Sequence, residues 1–215
     1  MSIYIFLGPP GSGKGTQAKI LANKLRIPHI AMGDILREEV RRKTSLGIKI
    51  EKILAEGKLV PDSVTGEVAR VRLSLPDCGQ GFIFDGFPRT QLQAETLEDI
   101  LKSQGRKVDK VIYFSILLKA ALERLSLRRS CRGCGAVYHL KYNPPKHSGK
   151  CDACGGDLYL RHDDEEDVIK NRFEVFLSET KPLIEYYKNR DIVIQVDASK
   201  SIEDVTKEIF QALNV

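Results

Sequence analysis

Nine residues near the start of the chain, Gly8-Pro9-Pro10-Gly11-Ser12-Gly13-Lys14-Gly15-Thr16, have the types and spacing needed to hold a phosphate. Glycines at 8, 11, 13 and 15 leave no Cβ in the way, so the chain can wrap an anion with its N–H groups inward. Lys14 adds a mobile positive charge that can reach a terminal phosphate. In the general form of such a loop a hydroxyl for Mg²⁺ follows the lysine; here Gly15 stands there and the hydroxyl comes one later, as Thr16. Magnesium would then be held mainly by phosphate oxygens and water, which suits an ion that dehydrates reluctantly.

A second group is Asp85-Gly86-Phe87-Pro88-Arg89-Thr90, followed by Gln93. Asp85 ends the apolar run Phe82-Ile83-Phe84, where a carboxylate orienting the waters of a magnesium ion belongs; a helix cap is the plainer alternative. Arg89 can grip a phosphate with two parallel bonds, as lysine cannot. Gln93 carries a donor and an acceptor and can pair with an adenine edge. Arg124, Arg128, Arg161 and Arg172 form a third group around an irregular stretch. Phosphoryl transfer needs charge neutralised from several sides, although each arginine alone reads as readily as a surface charge. Arg129 and Arg132 are read as surface. The fourth group is Cys131-x-x-Cys134, sixteen residues, then Cys151-x-x-Cys154. That spacing suits four thiolates closing a tetrahedron around a structural zinc, with Gly135 and Gly155 at the knuckle turns. His139 and His147 are not needed as ligands, and Cys78 reads as a plain small residue.

These groups need strands and helices to place them. Ile3 to Leu7 predicts a strand feeding the glycine loop, and Ala18, Ile20, Leu21 and Leu25 a helix after it. Further strands are expected at 27–31, 82–85, 110–115 and 192–196, alternating with helices near 34–40, 46–56, 62–75, 91–104, 119–128 and 202–213. Asp34 and Asp62 read as helix caps. Regular patterning stops between Ser130 and Arg161; a long helix then starts at Asp163 or Asp164, which could equally close hydrogen bonds across the hinge of that stretch, and Pro182 splits it near Lys181. Alternating strands and helices imply an α/β fold, a doubly wound five-stranded parallel sheet of the phosphate-loop type. Ligands of such folds bind beyond the strands' carboxyl ends, where the loop, Ala31-Met32-Gly33, Asp85 and Asp197 would meet.

The 215 residues suffice for one substantial core, and 42% hydrophobic with 29% charged content is that of a globular protein. No apolar run reaches the ~18 residues of a membrane span, and the apolar start feeds the loop in place of acting as a signal peptide. A net charge of +5 suits a nucleotide cleft or a lysine-rich surface equally. A loop of this kind implies the cytoplasm, where disulfides are unexpected.

Gly-x-Pro-Gly-x-Gly-Lys-Gly-Thr together with Asp-Gly-Phe-Pro-Arg-x-x-x-Gln resembles the adenylate kinases, in the long form with a zinc-bearing lid, and the resemblance covers most of the chain. It implies reversible transfer from MgATP to AMP, giving two ADP, with Mg²⁺ and a structural Zn²⁺. It implies a core of 1–31, 61–127 and 162–215, a monophosphate-binding insertion at 32–60 and a lid at 128–161. ATP would lie on Pro10, Gly11, Ser12, Gly13, Lys14, Gly15 and Thr16, with Arg124, Arg128, Tyr138 and Lys200. AMP would lie against Met32, Arg37, Lys58, Leu59, Val60, Gly86, Arg89, Gln93, Arg161 and Arg172. Catalysis would rest on Lys14, Asp85, Arg89, Arg124, Arg128, Arg161 and Arg172, and the metal on Cys131, Cys134, Cys151 and Cys154. The family usually has threonine where this chain has Met32, which leaves a UMP, CMP or broader nucleoside monophosphate kinase as the alternative. A cytoplasmic monomer acting on small nucleotides, with no nucleic-acid or membrane partner, is expected; few aromatics in the cysteine segment argue against a nucleic-acid ribbon.

Overall fold

Strand β1 (Ser2–Leu7) is buried at every residue after Ser2, as a central parallel strand covered on both faces must be. The computed structural model describes residues 2–215. Strand β1 lies between β3 (Gly81–Asp85) and β4 (Lys110–Ser115), with β2 (His29–Ala31) and β8 (Val193–Asp197) outside them. The order β2-β3-β1-β4-β8, parallel throughout, is the five-stranded sheet the pattern predicts.

Alternation along β1 divides the core. Ile3, Ile5 and Leu7 join Phe82 and Phe84 beneath α4 (Asp62–Leu73), α5 (Gln91–Ser103) and α8 (Pro182–Lys188). Tyr4 and Phe6 join Ile83 and Phe114 beneath α1 (Lys14–Leu25) and α9 (Ile202–Leu213). Each large side chain so buried contributes about 1.5–3 kcal/mol, and together they fix the sheet as a rigid platform. The register pairs Asp85 with both Phe6 and Ala31, and Ser115 with Asp197, so all the carboxyl ends share one edge.

Two excursions leave that edge. Helices α2 (Met32–Arg41) and α3 (Ser45–Ala55) pack so closely that a Cβ on Gly47 would stand 2.1 Å from the Glu39 carbonyl oxygen. Gly47→Ala is expected to cost about 2–3 kcal/mol by forcing the two helices apart. Chemical denaturation measures it, and an unchanged midpoint would contradict the packing. After α6 (Leu118–Ser126), strands β6 (Val137–His139), β5 (Arg128–Cys131) and β7 (Leu158–Tyr159) form an antiparallel sheet in that order. No described helix is long and apolar enough to cross a membrane.

Several boundaries depart from the sequence expectation. Asp34 and Asp62 are not caps: α2 starts at Met32 and α4 at Asp62 itself, and neither helix has a side-chain cap. Both carboxylates are drawn instead to partners outside the helix start. Strand β2 starts at His29, later than expected, and α6 ends at Ser126 because Arg128 belongs to β5. Neither Asp163 nor Asp164 starts the helix after the insertion. They lie in a 3₁₀ turn, His162–Asp164, and α7 (Glu166–Val175) begins beyond it, because Asp164 is pulled inward by Arg128. A π-turn at Phe176–Thr180 separates α7 from α8, whose first residue is Pro182, as predicted.

Candidate functional site

The phosphate loop turns directly into α1, so Lys14 and Gly15 begin a helix with amides that lack intrahelical acceptors. Gly11 and Gly13 hold φ of 78° and 82°, the left-handed region that favours glycine. Lys14 folds back over the loop, its Nζ donating to the Pro9 carbonyl at 2.9 Å and to Ser12 Oγ at 3.3 Å. Burial, partly offset by Asp85 and reinforced by Arg89, Arg172 and Arg128, lowers the Lys14 ammonium to about 8. Ser12 is buried and Thr16 exposed at the loop's outer side.

Asp85 ends β3 facing that loop. A Cβ on Gly15 would stand 3.2 Å from Asp85 Oδ2, so a hydroxyl-bearing side chain there would press on the carboxylate. His29 Nε2 lies 3.3 Å from the same oxygen, a partner that sequence reasoning missed. Only the parallel register reveals it: Ala31 pairs with Asp85, and His29, two residues back, lies on the same face.

The arginines converge, with one exception. Arg128 grips the buried Asp164 with Nε at 2.7 Å and Nη2 at 2.5 Å, and Arg172 Nη1 reaches the same carboxylate at 3.2 Å. Arg37 pairs with Asp34 at 2.6 Å and lies 3.7 Å from Asp163. Arg161 Nε donates to Ser130 Oγ at 2.6 Å, and its Nη2 lies 3.9 Å from Asp34. Asp163 and Asp164 therefore bind across the base of the insertion and do not cap a helix. Burial, then the neighbouring Arg172, lowers the Arg89 guanidinium to about 10; burial, then Arg37, does the same to Arg161. Arg89 Nε donates only to the Gly86 carbonyl, at 2.9 Å, and among the described residues neither Arg89 nor Lys14 forms an ion pair. Half-buried cations set close together without ion-pair partners are a site for a polyanion.

Arg124 lies apart. It is half-buried on α6 and makes none of these ion pairs; like Arg128 and Arg161 it lines neither of the two clefts that follow. It is sensed at the end of β8, where the Asp197 carboxyl is held low, chiefly by Ser199 and more weakly by Lys200 and Arg124. The Lys200 side chain itself is exposed and pairs with Glu208 at 2.8 Å.

Two adjoining clefts, of about 530 and 510 Å³, open at this edge. The first is walled by Met32, Leu54, Lys58, Leu59, Val60 and Gln93, with Arg37 in it. The second is walled by Gly8, Pro10, Lys14, Pro88 and Phe176. Gly86, Arg89 and Arg172 line both. Two ligands laid in these clefts would meet at two guanidinium groups.

The four cysteine sulfurs lie within 4.8 Å of one another. Cys131 and Cys154 are 3.4 Å apart and Cys134 and Cys151 3.6 Å, far beyond the ~2.05 Å of a disulfide. These spacings approach the about 3.8 Å edge of a tetrahedron with sulfur arms of ~2.3 Å. The two knuckles match: Gly135 N donates to the Cys131 carbonyl at 3.1 Å and Gly155 N to the Cys151 carbonyl at 2.8 Å. The donor set can hold a metal ion. Tyr138 belongs to this cluster, its hydroxyl 3.4 Å from Cys151 Sγ and accepting from Asp152 N at 2.7 Å. That side chain is therefore committed to the cysteines, and only its main chain is left to meet a nucleotide. His139 stands outside, its Nδ1 accepting from Lys141 and Tyr142 amides. Arg132 is exposed, as expected, with its guanidinium over the Tyr159 ring at 4.4 Å. Arg41 of α2 donates to the Gly133 carbonyl, so the cysteine segment touches α2.

Comparison with known proteins agrees with this geometry. The family model for adenylate kinase matches residues 6–192. An adenylate kinase of Methanocella arvoryzae is 49% identical over 98% of this chain and 97% of its own length. One from Archaeoglobus fulgidus is 51% identical over 95% of this chain and 94% of its own. One from Caldicellulosiruptor saccharolyticus is 49% identical, covering 98% of each.

Proposed function

The chain belongs to the adenylate kinase family, an ATP:AMP phosphotransferase giving two ADP, and from that premise we propose how its residues divide the work. The donor phosphates lie on residues 10–16, with Lys14 swung from Pro9 and Ser12 onto the terminal phosphate. Asp85, steadied by His29, orients the waters of Mg²⁺, an ion that adenylate kinases use with ATP and that neutralises charge on the phosphates. Asp85 and the space left by Gly15 fit that role. The acceptor phosphate lies between Arg37 and Arg89, and its base against Met32, Lys58, Leu59, Val60 and Gly86, read by Gln93. Arg128, Arg161 and Arg172 close from the insertion side. Arg124 covers the donor base, with main-chain contacts from Tyr138 and from the Lys200 segment.

No general base is required, because the attacking oxygen belongs to an already ionised phosphate. Catalysis is alignment plus charge stabilisation in a site that excludes water. Segments 32–60 and 128–161 act as the acceptor-binding insertion and the lid. Four thiolates at Cys131, Cys134, Cys151 and Cys154 hold Zn²⁺ in a closed, structural site, its contribution being folding energy for a segment too small for a core. The chain acts as a cytoplasmic monomer on small nucleotides, without nucleic-acid or membrane partners.

The observation carrying this reading is the pair of half-buried cations without ion-pair partners, Lys14 and Arg89, at the mouth of the phosphate loop. It makes ATP binding pH-dependent. With Lys14 near 8 in the free chain, bound phosphate raises it, so binding takes up a proton above that value. Affinity is flat below that range and falls as pH rises through it, by at most about tenfold per unit. Calorimetry at about pH 9, in buffers of different ionisation enthalpy, should read proton uptake that Lys14→Met abolishes; Arg89 and Arg161, near 10, remain mostly charged there. Wild-type binding without proton uptake would remove Lys14 from the donor phosphates.

A further inference from the structure

On the assignment of Gln93 to the acceptor base, the orientation of its amide decides which bases are accepted, and the surrounding hydrogen bonds fix that orientation. Gln93 is 2% exposed. Its Oε1 accepts from the Arg89 amide at 2.8 Å, and its Nε2 donates to Asp62 Oδ1 at 2.7 Å. Asp62 is held in turn by Thr90 Oγ1, which donates to Oδ2 at 2.9 Å. Both neighbours are unambiguous: a main-chain N–H only donates and a carboxylate only accepts. Flipping the amide would set Oε1 against the carboxylate and an N–H against an N–H.

We infer that Asp62 is a positioning residue for base specificity, locking the Gln93 amide so that UMP and GMP are excluded. One Nε2 hydrogen and one Oε1 lone pair remain for the ligand, in a fixed order. Adenine presents an amino donor beside a ring-nitrogen acceptor, which matches that order. Cytosine presents the same polarity. Uracil and guanine present a carbonyl beside a ring N–H, the reverse, and would need the flipped amide. The lock therefore rejects two bases by polarity and leaves cytosine to be rejected by reach alone.

The test measures kcat/KM for AMP, CMP, UMP and GMP with the wild type, Asp62→Asn and Gln93→Leu. Asparagine has the shape of Asp62 but can donate or accept, so the flipped Gln93 amide loses its clash at position 62 and is opposed only by the Arg89 N–H. UMP and GMP are expected to gain on AMP by about tenfold or more in Asp62→Asn, with the CMP-to-AMP ratio unchanged. If all four acceptors fall together, Asp62 is only a tie between α4 and α5 and the inference is overturned. If Gln93→Leu erases the preference for AMP over UMP and GMP while Asp62→Asn keeps it, the lock is overturned and the base reader stands. If Gln93→Leu leaves the preference intact, Gln93 does not face the base and both fall. Should Asp62→Asn not fold, the wild type decides by NMR. The Gln93 amide proton on Asp62 should exchange with solvent more slowly than its geminal partner, and equal exchange overturns the lock.

Discussion

Replacing Lys14 with methionine lowers turnover by roughly a thousandfold, while the chain melts no earlier than the wild type. The two halves of that expectation come from one fact. Burial lowers the Lys14 ammonium to about 8, so in the nucleotide-free chain the charge is held against its own preference, beside Arg89, Arg172 and Arg128. Methionine keeps the length and loses the charge, which relieves the folded state. In linkage terms, the wild-type folded chain binds fewer protons at Lys14 than the unfolded chain between about 8 and 10.5. Wild-type stability therefore rises with pH across that window, and the variant lacks this rise. During transfer, by contrast, the missing cation leaves charge on the moving group uncompensated in a site of low dielectric. A coupled assay and a thermal melt measure the two halves. Near-normal turnover would mean that Lys14 does not reach the transferring group. Arg89→Ala is expected to lose a similar factor, since Arg89 lines both clefts.

Cys131→Ser is expected to lose the metal and to lower the melting temperature by roughly 10 °C, a loss of about 3–4 kcal/mol for a chain of this size. The small cluster beneath the cysteines, built from Cys131, Cys151 and Tyr138, is too small to hold the segment alone. Activity at low temperature should largely survive. Arg128 and Arg172 are anchored by Asp164 and Asp163 and Arg161 by the Ser130 hydroxyl, and none of these ties runs through a sulfur. Metal analysis and a melt check the first part and a low-temperature assay the second. One undiminished metal ion per chain in the variant would refute the four-cysteine site.

The groups legible in the sequence are those whose function is local. The glycine loop needs only its own backbone and a following helix, and each Cys-x-x-Cys knuckle closes on itself. What stayed hidden depends on pairing between distant segments. Asp62 looks like a helix cap in sequence, yet its carboxylate goes to Gln93, 31 residues on. Asp164 reads equally as a helix start and as a tie across the hinge, and only the fold names Arg128, 36 residues back, as the partner that draws it inside and delays α7 to Glu166. Tyr138 was read for a nucleotide, yet its hydroxyl serves a sulfur brought close by the folded ribbon. In each case a polar side chain chose the partner that spared it an unsatisfied burial over the local backbone role.

Arg89 and Arg172 line both clefts, so on the proposed placement a group leaving one molecule for the other would keep the same escort. The same two guanidinium forks greet it on arrival as saw it off. Nothing in the protein then marks one direction as forward. Any catalyst speeds both directions alike, so the net direction is left to the concentrations outside.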